Sequence, residues 1–185
     1  MIWWPTHVPT LRNGLVTLRP LQEQDIESIY HACQDPLIPR FTTVLSPYTM
    51  SHAQFFVREQ EPARFALKSE LIFAITLGHD IEEEFCGVIS FHSVSLVNHA
   101  AEIGYWITAP ARGKGIGVTA AKMITEYGLL TMGIRRIEAL VDVDNDASRA
   151  LLRSAGYELE GIMRQKITRD NGEQLDMALF SRVVR

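Results

Sequence analysis

The stretch Arg112-Gly113-Lys114-Gly115-Ile116-Gly117 constrains this chain more than any other, because it joins a strand pattern to a helix pattern. Residues 101–107 read as an apolar strand, and residues 116–130 place Ile116, Ala120, Met123, Ile124 and Tyr127 on one helical face. Residues 137–143 read as the next strand, so the glycines lie within a βαβ unit. Alternating glycines let a backbone approach a ligand closely, and the free N–H groups at a helix start, at the positive end of its dipole, hold phosphate or pyrophosphate. Arg112 and Lys114 add formal positive charge there. The bland alternative is a turn that only connects strand to helix. Spacing excludes two nucleotide motifs: the Walker A pattern is absent, and Val118 stands where a dinucleotide fingerprint needs its third glycine.

The rest of the chain extends this unit. Residues 15–19 read as a first strand ended by Pro20, and Ile26, Ile29, Tyr30 and Cys33 recur at helical spacing until Asp35-Pro36. Ser51 is placed to cap a second helix through Phe55, Phe56 and Val57. Residues 71–77 and 85–94 read as a hairpin, with Glu82-Glu83-Glu84 as a solvated acidic turn. A short helix over 147–154 is closed by Ala155-Gly156, and strands over 159–168 and 175–184 flank the turn Asp170-Asn171-Gly172. The expectation is one α/β (α+β) domain over 1–185, with an N-terminal arm at 1–14 and a core at 15–185. Trp3 and Trp4 are expected to pack within that arm.

Composition narrows the function. The chain has 185 residues, 46% hydrophobic and 22% charged, enough for one sizeable core without staples. Its formal charge of −4 lacks the positive excess that nucleic-acid binding needs. The charge is uneven, −6 over residues 1–111 and +2 over 112–185. Cys33 and Cys86 match neither a disulfide framework nor a metal pair, and the six histidines show no ligand spacing, so no metal is assigned. Pro5 and Pro9 interrupt any signal-peptide core, and no apolar run approaches a membrane span. These readings point to a cytoplasmic protein, with no membrane partner and with a homodimer left open.

The Arg-x-x-Gly-x-Gly pattern of Arg112, Gly115 and Gly117 resembles the acetyl-CoA pyrophosphate loop of the GNAT N-acetyltransferase family. Ala101-Glu102-Ile103-Gly104-Tyr105-Trp106-Ile107 resembles the fourth strand of the branch that acetylates ribosomal-protein N-termini. Asn145-Asp146-Ala147-Ser148, Leu151, Gly156-Tyr157, Glu160-Gly161 and Arg164 are similar to the second half of that branch, and Leu18-Arg19-Pro20-Leu21, Asp25 and Asp35-Pro36 to its opening. The resemblance implies a mixed, mostly antiparallel sheet of about seven strands, helices on both faces, and fourth and fifth strands that splay to admit a pantetheine arm. It implies acetyl-CoA as co-substrate. Backbone atoms at Trp106 and Ile107 would bind the arm and polarise the thioester carbonyl, the N–H groups of Gly113, Lys114, Gly115, Ile116, Gly117 and Val118 would take the pyrophosphate, and Asn145 would fix the cofactor from the opposite side.

The implied reaction is direct attack of an amine on the thioester. Glu102 is the candidate base, acting through water; otherwise it is a strand carboxylate facing solvent or pairing with a basic neighbour. Many relatives carry a tyrosine acid where Leu152 stands, so the acid role passes to Ser148, whose hydroxyl would protonate or hydrogen-bond the departing thiolate. Tyr157 is expected in the core, and Phe41, Phe55 and Phe56 fall in the region that walls the acceptor site. At pH 7.4, deprotonating a lysine of pKa ~10.4 costs about 4 kcal/mol and an α-amine of pKa ~8 less than about 1. With no second strong base evident in sequence near Glu102, a protein N-terminus is the favoured acceptor. A polyamine, amino sugar or antibiotic is the alternative, and a non-catalytic acyl-CoA-binding module is the third reading.

Overall fold

The structure is a computed structural model, and it describes residues 2–78, 83–169 and 171–184. Among the described residues eight strands form one sheet in the order β1-β2-β3-β4-β5-β6-β8-β7. They are β1 (Leu11–Asn13), β2 (Val16–Arg19), β3 (Leu71–Leu77), β4 (Glu84–Ser95), β5 (Ala100–Ile107), β6 (Arg136–Asp142), β7 (Glu158–Thr168) and β8 (Gln174–Val183). All neighbours are antiparallel except β5 and β6. The expected fourth and fifth strands are β5 and β6. Their parallel pairing stops after three residue pairs, Ala100 with Arg136, Ala101 with Ile137 and Glu102 with Glu138. Beyond Glu102 the strands diverge, and among the described residues the β6-facing edge of β5 has no strand partner from Ile103 to Ile107.

The extra strand is β1, from the segment expected to be an arm. Asn13 pairs with Val16 across a two-residue loop in which Gly14 has φ +57°, a conformation that favours glycine. The arm also reaches the core: Ile2 and Val8 are buried, the Trp3 N–H donates to the Met132 carbonyl at 2.8 Å, and Trp4 packs on Phe65 with ring centroids 5.6 Å apart.

Among the described residues six α-helices cover the sheet: α1 (Asp25–Ala32), α2 (Leu37–Phe41), α3 (Met50–Phe55), α4 (Glu61–Ala66), α5 (Ile116–Glu126) and α6 (Asp146–Ser154). Two cores result. The larger joins Phe73, Phe91, Ile103, Ile137 and Phe180 of the sheet to Ile116, Ala120, Ile124 and Leu152 of α5 and α6. The smaller joins Ile26, Ile29, Cys33, Ile38, Ala53 and Val57 to Phe85 and Trp106. The cap of α3 is Thr49 and not Ser51: Thr49 Oγ1 accepts from the His52 N–H, and His52 Nδ1 accepts from the Thr49 N–H. The helix expected over 116–130 changes to π geometry from Tyr127 to Met132 and ends at Gly133, φ +75°.

One buried ion pair fixes the start of the core. Arg19 donates twice to the Asp25 carboxylate at 2.8 Å, and Asp25 also accepts from the Gln22 N–H. Arg19 donates as well to Glu83 at 2.8 Å, and Glu83 accepts from Thr76 Oγ1. Glu83 is therefore a partly buried strut and not the solvated turn residue expected; Glu82 lies outside the described residues, as does Asp170 of the other expected turn.

Candidate active site

The cleft is built where β5, β6, α5 and α6 meet. Gly115, φ +77°, caps α5, and Gly113 has φ +72°. A Cβ at either would meet nothing within 4 Å, so both are glycine for backbone conformation alone. Gly115 carries no capping side chain, and the first intrahelical bond runs from the Thr119 N–H to the Gly115 carbonyl. The preceding N–H groups of Ile116, Gly117 and Val118 are left to a ligand at the positive end of the helix. Gly117 has a different reason. A Cβ there would lie 2.7 Å from Leu151 Cδ1 and 3.3 Å from Ile107 Cγ1, so it lets α5 approach α6 and the end of β5. Ile116 contributes only its backbone, because its side chain is in the core.

Lys114 is exposed beside the loop, but Arg112 is not a free charge. Its Nη1 pairs with Asp35 at 2.6 Å and its Nε donates to the Ile107 carbonyl at 3.0 Å. It ties the glycine loop to β5 and to the turn after α1. Asp35 also accepts from the Leu37 N–H, and these two partners hold its carboxyl below the usual range.

Glu102 stands at the apex of the divergence. Its side chain is 23% exposed. Burial pushes its pKa up; His92 opposes that, Glu138 adds to it, and the Leu140 N–H and Lys166 oppose it. His92 is the partner that sequence reasoning missed. It is directly opposite Glu102 in the β4–β5 register, and its Nε2 is 3.9 Å from the carboxylate. Its ring lies against Gly104, where a Cβ would fall 2.9 Å from Nε2. The expectation of no second base near Glu102 is thereby corrected. The signal was the neighbouring strand: antiparallel register sets His92 beside Glu102, ten residues away along the chain.

Ser148 is in the first turn of α6, where Asn145 Oδ1 accepts its N–H at 3.0 Å. The Asn145 carbonyl oxygen is therefore the helix cap. Ser148 Oγ lies 2.7 Å from the Tyr105 hydroxyl. Burial pushes the Tyr105 phenol up to about 12. Leu152 is fully buried, one turn further along α6. Tyr157 is in the core as expected, its hydroxyl 2.7 Å from Thr125 Oγ1. Trp106 lies on the face opposite Tyr105, its ring centroid 6.0 Å from that of Phe85.

Gly87 is a second residue that sequence reasoning missed. It follows a bulge at Cys86 and faces Ile107 with φ +151°. A Cβ there would lie 2.2 Å from the Trp106 carbonyl oxygen. It brings β4 close to the part of β5 that lines the opening. On the far side, the β7–β8 hairpin reaches the smaller core's helices through Arg169, which donates to the Arg40 carbonyl at 2.9 Å. Glu160 takes two hydrogen bonds from Arg136 and one from Ser181, which holds its carboxyl at about 2. The Glu160-Gly161 motif is thus a strut between β7, β6 and β8. Among the described residues there is no group of three His, Cys, Asp or Glu side chains that could hold a metal ion.

An uncapped helix start and a strand pair that opens beside it are what a comparison with known families has to account for. The Acetyltransferase (GNAT) domain family matches residues 16–158. This chain belongs to the GNAT acetyltransferase family. The uncharacterized N-acetyltransferase YoaA of Bacillus subtilis is 28% identical over 94% of this chain and 96% of its own. The ribosomal-protein-serine acetyltransferase of Escherichia coli is 31% identical over 56% of this chain and 57% of its own. The structure of Mycobacterium smegmatis RimJ in complex with CoA-disulfide superposes with TM-score 0.81 and 26% identity, covering 98% of this chain and 88% of that one. Membership makes this chain an N-acetyltransferase. No helix among the described residues is long and apolar enough to cross a membrane.

Proposed function

We propose that this chain moves an acetyl group from acetyl-CoA to the α-amine at a protein N-terminus, such as that of a ribosomal protein, in the cytoplasm. The observation that carries the reading is the opening between β5 and β6, with Glu102 at its apex and the uncapped start of α5 at its mouth. The open N–H groups from Gly113 to Val118 fit a pyrophosphate, and the unpartnered edge of β5 at Trp106 and Ile107 fits the amides of a pantetheine arm. Acetyl-CoA supplies the activated acyl group. Glu102 removes a proton from the amine, with His92 beside it, and burial makes it a stronger base than a solvated carboxylate. The Trp106–Ile107 backbone polarises the carbonyl, and Ser148 hydrogen-bonds the departing sulfur.

An α-amine is supported by the Escherichia coli relative named as acting on a ribosomal protein. The test is thiol release from acetyl-CoA across short peptides with free N-termini and across polyamines and amino sugars. Turnover confined to peptides supports the reading. Turnover confined to small amines, as the −6 charge of residues 1–111 would favour, moves the acceptor to that class. Binding of acetyl-CoA without turnover on either panel argues against this acceptor and for a binding module.

A further inference from the structure

The acid end of the site holds a side chain that the proposed chemistry does not yet use. Tyr105 is the third residue of β5 beyond its last pairing with β6, and its ring faces α6 within the larger core. Its hydroxyl has one close partner, Ser148 Oγ at 2.7 Å, and a distant one, the Ser148 carbonyl at 3.4 Å. Either hydroxyl of the 2.7 Å pair could be the donor. A serine in the first turn of a helix otherwise turns its hydroxyl back to local backbone groups. Here the backbone side is already fixed, because the Ser148 N–H is committed to Asn145 Oδ1. With the phenol as donor, the one proton of Ser148 is free for a third group in the opening.

We propose that Tyr105 is a positioning residue that acts through Ser148: its phenol donates to Ser148 Oγ and directs the serine proton to the sulfur of the departing thiolate. The proposal rests on the reading of Ser148 as the group that meets the sulfur. The balance of the step is plain. The nitrogen–carbon bond forms, the carbon–sulfur bond breaks, and Glu102 takes the amine proton. The thiolate leaves under the Ser148 hydrogen bond and collects its proton from water. No proton is required of Tyr105. A phenol that stays protonated in this buried place is a permanent donor, and it enters from the strand because Leu152 of the helix is buried and apolar.

The test uses Tyr105→Phe, Ser148→Ala and the double variant, each checked for an unchanged thermal melt. Two readouts are taken: steady-state rates with the peptide or amine that turns over, and ultraviolet titration of the thiolate of CoA bound to the protein, which needs no acceptor. Ser148→Ala is expected to lower kcat about a hundredfold, the loss typical of removing one donor from a developing charge. Tyr105→Phe is expected to lower kcat about tenfold with KM unchanged, and the double variant to be no slower than Ser148→Ala alone, the signature of one residue acting through another. Both single variants should raise the thiol pKa of bound CoA. If Ser148→Ala changes neither readout, the reading of Ser148 falls, and this inference with it. If Ser148→Ala changes both and Tyr105→Phe neither, or if the two losses multiply, Ser148 stands and Tyr105 does not act through it.

Discussion

Gly87→Ala is the substitution with the sharpest consequence. The new Cβ would lie 2.2 Å from the Trp106 carbonyl oxygen, 3.1 Å from Ile107 Cα and 3.2 Å from the Trp106 carbonyl carbon. All three are backbone atoms of β5, so no rotamer change relieves the overlap, and the strands must part by roughly 1 Å to reach van der Waals contact. Parting them stretches the bond from the Thr108 N–H to the Cys86 carbonyl, 2.8 Å long, and its neighbours in the ladder. The φ of +151° adds its own penalty for any L side chain. Backbone strain of about 1–3 kcal/mol and two ladder bonds of about 0.5–1.5 kcal/mol each give a loss of about 2–6 kcal/mol. For a chain of this size that is a melting point lower by roughly 5–20 °C. Acetyl-CoA affinity, measured by calorimetry, should fall more than tenfold, because the displaced atoms line the opening. Gly161→Ala is the control: nothing lies within 4 Å of its Cβ and its φ is ordinary. A Gly87→Ala protein that melts within about 2 °C of the parent and binds acetyl-CoA normally would refute the account of how β4 sets β5.

Glu102→Gln should slow turnover most between the pH at which Glu102 ionises and the pH at which the amine loses its own proton, and should raise stability at neutral pH. Its folded pKa is raised, so the stability it contributes is fully present below the unfolded pKa and lost as pH rises through the folded one; the melting-point gain of the glutamine variant should therefore appear at pH 7 and vanish near pH 4. Gly104→Ala should push the His92 ring away from Glu102, since its Cβ falls 2.9 Å from Nε2, and should alter the acid limb of the pH–rate profile while leaving acetyl-CoA binding intact. Asp25→Asn should cost about 3–5 kcal/mol in urea unfolding, because it leaves the Arg19 guanidinium buried without its main carboxylate; a loss under 1 kcal/mol would show that Glu83 suffices.

What was legible along the chain was whatever a local period or spacing carries. The apolar runs at β3, β4 and β5, the apolar face of α5 and the glycines before it are contiguous signals, and each lies where it was expected. β1 was missed because three residues show no period, although Asn13-Gly14 is a hairpin signal. The helices α2 and α4 carry too few residues to show a helical stripe. Glu83 reads as a surface charge until Arg19 and Thr76, far away in sequence, are beside it.

The site divides in the same way. Glu102, Ser148 and the loop from Arg112 to Gly117 were readable as residue types at a spacing. That Gly117 serves packing while Gly113 and Gly115 serve conformation needed the neighbours of each Cβ. That Arg112 is bound to Asp35, that His92 faces Glu102 and that Tyr105 meets Ser148 are pairings 77, 10 and 43 residues apart. The sequence by itself determined the longer elements and the family, because period, turn chemistry and motif spacing are properties of neighbours along the chain. Only the tertiary structure decided which groups share a proton or a charge, because sheet register and helix packing, not chain distance, bring those side chains within a few ångströms.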